Sequence, residues 1–272
     1  MGCLMSLSIH MKNNQYLIKK KLSHDVDKVI NSVYICDNRV VKFINKKDID
    51  IFEKIQGSDK IIKYKLNKKY KNIEMDKYIP LENMIHDMSI PNIKSMALDI
   101  IDQLEYLHTD HKMVHGKVSP DHILFDKKSN KYYLIGFNRN QVDNLNNIIP
   151  SHYDSTYSSS TVNLVNNINK NCSHDFIGDF ESLGYVMVRI LYKRPLLWSN
   201  YKTDPLDKFN PTHINRQIYK MKINMINNSK RFIAHKFLIN YFTYIKNTHF
   251  CPIVNHNIYR KIIINSKVNK YI

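Results

Sequence analysis

The stretch His115-Gly116-Lys117-Val118-Ser119-Pro120-Asp121-His122, followed shortly by Leu134-Ile135-Gly136-Phe137, gathers the side chains of this chain best placed to do chemistry. Imidazole, ammonium, hydroxyl and carboxylate groups stand close together between apolar runs. As a proton acceptor the group is poor, because Lys117 puts a positive charge among the histidines. As a holder of a hard divalent cation it is poorer still. His122 offers nitrogen to a metal that seeks oxygen, and Gly136 offers no ligand. Elsewhere, Cys172 and His174 could touch zinc, but two ligands are too few.

Composition bounds the rest. The 272 residues can bury a substantial core, and the 43% hydrophobic fraction fits a globular chain. The net charge of +17, from 41 basic and 24 acidic residues, favours phosphate-rich or acidic partners or anionic surfaces, unless it only reflects biased codon use. The four cysteines, Cys3, Cys36, Cys172 and Cys251, lie far apart with no C-x-x-C pair. Reduced thiols in cytoplasm or nucleus are therefore expected. No segment has the length and apolarity of a membrane span, and no secretory pattern opens the chain. Met1-Gly2-Cys3-Leu4-Met5-Ser6 does match an acylation pattern, with Gly2 and Cys3 as lipid sites and Lys19-Lys20-Lys21 as a supporting basic patch.

These residues need elements to position them. After a leader over 1–15, acylated or disordered, alternating stretches predict strands at Tyr16-Leu17-Ile18, Val29-Ile30, Val33-Tyr34-Ile35 and Val40 to Ile44, with Asp37-Asn38 as a turn. Helical spacing follows over Lys46 to Gln56, ended by Gly57. Two more strands are expected near Ile61–Tyr64 and Ile73–Met75. From Ile93, an apolar stripe through Met96, Ala97, Ile100, Ile101, Leu104 and Leu107 predicts a long helix begun at Pro91-Asn92. The polar span 140–175 reads as a long loop. A second buried helix carries Phe180, Leu183, Met187, Ile190 and Leu191, and the chain beyond Trp198 is mostly helical by pattern. Strands first and helices afterwards give an α+β chain, divided at 16–78 and 79–272.

The order of these motifs resembles the protein-kinase fold, and within it the vaccinia-related and casein-kinase-1-like branch, its poxviral members in particular. Three quotations carry the likeness. Val114-His115-Gly116-Lys117 has Gly after the His, as that branch does. Gly178-Asp179-Phe180-Glu181-Ser182-Leu183-Gly184-Tyr185 resembles its helix start, and Pro195-Leu196-Leu197-Trp198 its Leu-Pro-Trp turn. The likeness covers Tyr16 to Trp198. It implies a bilobal fold, with a small β-rich N-lobe and a larger helical C-lobe, and it makes 140–175 an activation-type loop.

What the resemblance implies for the site is chiefly loss. Lys117 stands where the catalytic Asp of His-Arg-Asp is expected, His122 where the metal-binding Asn is, and Gly136 where the Asp of Asp-Phe-Gly is. Ser119 replaces a lysine common in active kinases. Lys42 matches the strand lysine that neutralises ATP phosphates, Glu53 its helix partner, and Val29 the apolar cover of an adenine. The plain alternative for Lys42 and Glu53 is an exposed charge pair. The phosphate loop, Leu22 to Val29, has no glycine, and Asp25 and Asp27 would repel phosphate. His115 and Phe137 match packing positions, and Asp179 matches a buried brace of the catalytic-loop backbone.

The expectation is therefore a catalytically inactive viral pseudokinase in host cytoplasm or nucleus. It would need no cofactor and would act by binding a related kinase or that kinase's substrates. Two alternatives stand beside it. One is an atypical serine/threonine kinase using ATP with magnesium, a substituted ligand such as Asp121 or Asp126 having moved in. The other is a basic nucleic-acid-binding module, motivated by runs such as Lys65-Leu66-Asn67-Lys68-Lys69-Tyr70-Lys71.

Overall fold

The computed structural model describes residues 9–12, 15–18, 33–36, 38–137, 156–157, 176–199, 211–248 and 254–265. Val29, the Leu22–Val29 loop, Gly2, Cys3, the Cys172 and His174 pair, and the 140–175 span apart from Thr156 and Tyr157 lie outside them. The chain divides into two compact units, Met1–Tyr78 and Ile79–Ile272.

The first unit is built on antiparallel strands. Strands β1 (Ile9–Lys12) and β2 (Gln15–Ile18) form a hairpin that begins within the stretch expected to be a leader. A four-stranded sheet follows, in which β3 (Val33–Cys36), β4 (Arg39–Phe43), β5 (Lys65–Asn67) and β6 (Asn72–Asp76) run in the order β3-β4-β6-β5. Cys36 opposes Arg39, the register that a two-residue turn requires, while Asp37 itself lies outside the described residues. Helix α1 (Lys46–Ile55) starts where the Asn45 side chain accepts the Asp48 N–H at 2.9 Å, and it buries Ile51, Phe52 and Ile55.

One expected strand is displaced. Ile61 and Ile62 are buried but lie outside any strand, and pairing begins only at Lys65, opposite Glu74 of β6. The apolar residues fill the core beside α1, where Tyr64 donates its hydroxyl hydrogen to the Phe52 carbonyl. Burial had mimicked strand character there.

The second unit holds the larger core. A short strand, β7 (Ile79–Pro80), pairs with β8 (Ile123–Asp126), which pairs with β9 (Lys131–Leu134). Helix α2 (Ile90–Glu105) is capped by Ser89, whose Oγ accepts the Asn92 N–H at 3.4 Å, with Pro91 in its first turn. Its apolar stripe is buried as the spacing predicts. Two polar side chains on α2 reach across to β9. Asp99 Oδ2 accepts the Tyr132 N–H at 2.9 Å, Gln103 Oε1 accepts the Leu134 N–H at 2.7 Å, and Gln103 Nε2 donates to the Tyr132 carbonyl at 2.8 Å.

Helix α3 (Phe176–Tyr192) is buried almost all round its first three turns, as a central core helix should be. Gly184 makes this possible, since a Cβ there would stand 2.8 Å from Phe242 Cζ. Beyond Trp198 the described chain is helical: α4 (Pro211–Asn227), the single turn α5 (Ser229–Phe232), α6 (Lys236–Thr248) and α7 (His256–Asn265). Phe180 of α3 stacks on Tyr259 of α7 at 4.0 Å, and Tyr241 of α6 donates to the Phe180 carbonyl at 2.9 Å. Arg260 ties α7 to Asp102 and Glu105 of α2. Among the described residues no helix is long and apolar enough to cross a membrane.

Candidate functional site

The segment from Met113 to Ile123 runs from the end of α2 to β8, and its backbone is held from below by one carboxylate. Asp179, in the first turn of α3, is buried. Its Oδ2 accepts the His115 N–H and its Oδ1 the Gly116 N–H, both at 2.7 Å. Oδ2 also accepts from His108 Nε2 at 3.0 Å. Burial alone would raise the pKa of Asp179. The hydrogen bond from His108, the positive potential of His108 and His115, and the backbone donor outweigh burial and hold it below the ordinary carboxylate value. Gly116 has φ +68°, a left-handed backbone that explains the glycine after His115 and turns both N–H groups toward one acceptor.

His108 lies in a π-helical turn, Tyr106–Asp110, that prolongs α2 and aims its ring inward. Its Nδ1 shares a hydrogen bond of 3.1 Å with Nε2 of His256, at the start of α7. Burial, with the positive potentials of His108 and Arg260, lowers His256 to about 4 against the pull of Glu105. The three residues form a buried chain, Asp179-His108-His256, that fastens the loop to two helices.

His115 has a defined tautomer. Its Nδ1 accepts the Lys117 N–H at 3.2 Å, so the hydrogen is on Nε2, which donates to the Ile135 carbonyl at 3.1 Å. Burial is the main reason that its pKa falls to about 4, so the ring is neutral at pH 7. The ring packs edge-on against Phe137 at 5.4 Å and lies 6.4 Å from His122.

Above this brace lie the positions expected to carry chemistry. Pro120–His122 forms a 3₁₀ turn in which Ser119 Oγ and His122 Nδ1 share a hydrogen bond of 2.8 Å. Ser119 is buried, while Lys117 is half-buried. Gly136 has φ +94°, and a Cβ built on it would stand 2.3 Å from His122 Cδ2 and 3.0 Å from Nε2. No real pair of atoms approaches so closely. The imidazole therefore occupies the room that any side chain at position 136 would enter.

This arrangement does not fit magnesium. The two positions that the sequence resemblance aligns with magnesium ligands hold an imidazole and a glycine, packed against one another. Asp121 is exposed, and the Asp126 carboxylate serves its own turn, accepting from Lys128 N–H at 2.8 Å and Ser129 Oγ at 2.7 Å. Among the described residues no three His, Cys, Asp or Glu side chains are grouped to hold a metal ion.

In the first unit, Lys42 lies on β4 opposite Val33 of β3 and Ile73 of β6, and Glu53 on α1 makes an ion pair with Lys68. Sequence reasoning missed His108 and His256. The first is legible only as a histidine ending the α2 stripe, and nothing in the order of residues joins it to a partner 148 positions away.

No protein-family model matches the chain, and no curated protein does. Solved structures do match. One is a structure of vaccinia-related kinase 3, with a TM-score of 0.59 and 16% sequence identity over 83% of this chain and 79% of that one. With a small antiparallel N-terminal unit and a larger helical one, the chain has the bilobal α+β fold of the protein kinases.

Proposed function

We propose that this kinase-fold protein transfers no phosphate and works by binding. The observation that carries the reading is the packing of His122 into the space beside Gly136, 2.3 Å from where a Cβ would lie. Phosphoryl transfer depends on positioning and on metal ions that neutralise the migrating group. Here the residue at one expected ligand position fills the room of the other. Lys117 adds a positive charge where a base would accept the substrate proton. The glycine-free stretch Leu22 to Val29 supports the same reading from the nucleotide side.

The motifs at His115-Gly116-Lys117, Gly178 to Tyr185 and Pro195 to Trp198 support a place in the vaccinia-related and casein-kinase-1-like branch, among its poxviral members. The partner is then a related kinase or its substrate. A kinase-shaped surface that keeps the backbone of its loop in place, with the chemistry gone, competes for the shared contact. The test is phosphate transfer from labelled ATP in magnesium and in manganese, with a Lys42→Ala control, alongside melting curves with and without nucleotide. Transfer no greater than the control and a melting point indifferent to metal-ATP are expected. Metal-dependent transfer above the control would make the protein an atypical serine/threonine kinase and overturn the proposal.

A further inference from the structure

We infer that the β5–β6 hairpin of the first unit is a binding surface for single-stranded nucleic acid. Lys63, Lys65, Lys68, Lys69 and Lys71 are all exposed, and Tyr70 sits among them with 41% of its surface open. The tip is a built structure. Asn67 Oδ1 accepts the Tyr70 N–H at 3.2 Å, the Lys71 N–H donates to the Lys68 carbonyl at 3.4 Å, and Lys71 takes φ +50°. The Lys71 carbonyl in turn accepts the Ile44 N–H at 2.8 Å, which anchors the tip to the chain after β4. Lys65, Lys68, Lys69, Lys71 and a phenol are thus held on one short, defined projection.

The chemistry of the projection selects its ligand. Lys69 Nζ lies 5.5 Å from the Tyr70 ring centroid, so cation and aromatic face are presented together. Phosphates pair with the lysines, and an unstacked base lies on the phenol; this is how strands are held without sequence readout. An anionic bilayer would attract the same lysines, but firm membrane binding adds buried aliphatic groups, and Lys68-Lys69-Tyr70-Lys71 has none. The carboxylate of Glu53, paired here with Lys68, belongs to an exposed ion pair that a phosphate displaces at little cost. A duplex hides its base faces, so the preference is for the single strand. DNA and RNA share the recognised groups.

The test uses the full chain and fluorescein-labelled oligo-dT and oligo-rU, followed by anisotropy over a series of NaCl concentrations. Salt-dependent binding of at least one oligonucleotide is expected. The triple variant Lys68→Ala, Lys69→Ala, Lys71→Ala should weaken binding at least tenfold at low salt and flatten the slope of log K against log salt by about 2. Tyr70→Ala should weaken it about tenfold, with the slope unchanged and with Tyr70→Phe close to the parent. A control removes equal charge from the exposed β8–β9 turn, as Lys127→Ala, Lys128→Ala, Lys131→Ala. Denaturant midpoints equal to the parent's verify that each variant folds. Equal losses from both triple variants would show only net charge at work and overturn the site. Failure to bind either oligonucleotide would overturn it too, as would binding confined to phosphatidylserine vesicles.

Discussion

Two neighbouring regions of the helical unit have met opposite fates. Beneath the loop, Asp179, His108 and His256 form a buried chain in which each polar group contacts another, and the backbone N–H groups of His115 and Gly116 are satisfied. Above it, the positions expected to act on a substrate hold a lysine, an imidazole and a glycine, and the imidazole fills the gap. The difference separates two reasons for keeping a polar residue. A buried donor left unpaired costs free energy whether or not the protein has a substrate. A ligand aimed at metal or phosphate stabilises nothing in the empty protein, so its loss is free for the fold.

That contrast breaks most directly at Asp179. Asp179→Ala would leave the buried His115 N–H, the partly buried Gly116 N–H and His108 without their acceptor. It should lower stability by about 3 kcal/mol or more in urea unfolding. A loss below about 1 kcal/mol would mean that water replaces the carboxylate and the brace is not buried chemistry.

Acid should act on the same region. His115 and His256 have folded values of about 4, below their ordinary 6.5, so between those limits the unfolded chain binds more protons. Stability is then fully present above pH 6.5 and falls as pH drops toward 4, by roughly 2 kcal/mol or more between pH 7 and 5. Asp179, held low, adds its loss only at more acid pH. His256→Gln should flatten the slope of unfolding free energy against pH. An unchanged slope would remove His256 from the brace.

The upper region is sharpened by a cycle. Gly136→Ala meets His122 and also strains a left-handed backbone, and should cost about 1–3 kcal/mol. Adding His122→Ala should restore the steric share and leave the backbone share of about 1 kcal/mol, a coupling readable in chemical denaturation. Additive losses would show that the ring moves aside without cost. Arg260→Ala, which removes no hydrogen bond from either region and loses partly exposed pairs with Asp102 and Glu105, should cost only about 0.5–1 kcal/mol. A larger effect would extend the brace along α7.

The order of residues carried the fold further than the site. The α2 stripe, the register that sets Cys36 opposite Arg39 and the segment opening α3 follow from period and turn chemistry, which are local. Ile61 and Ile62 misled because a buried apolar pair looks the same in a strand as in a packed loop. That Lys117, His122 and Gly136 differ from the groups the kinase resemblance implies was legible in the order of residues. That His122 occupies the space beside Gly136 was not, since it depends on a ring rotamer and a φ of +94°. The His108 and His256 contact joins two helices distant in the chain, where no spacing rule applies.

The grip of Asp99 and Gln103 on β9 has a consequence for the protein in a crowded solution. The outer margin of a β-ribbon offers free amide and carbonyl groups to any passing extended chain. Here Tyr132 and Leu134 spend those groups on side chains of α2. The ribbon is thereby closed to fibre-like growth at the side where it would otherwise invite a foreign strand.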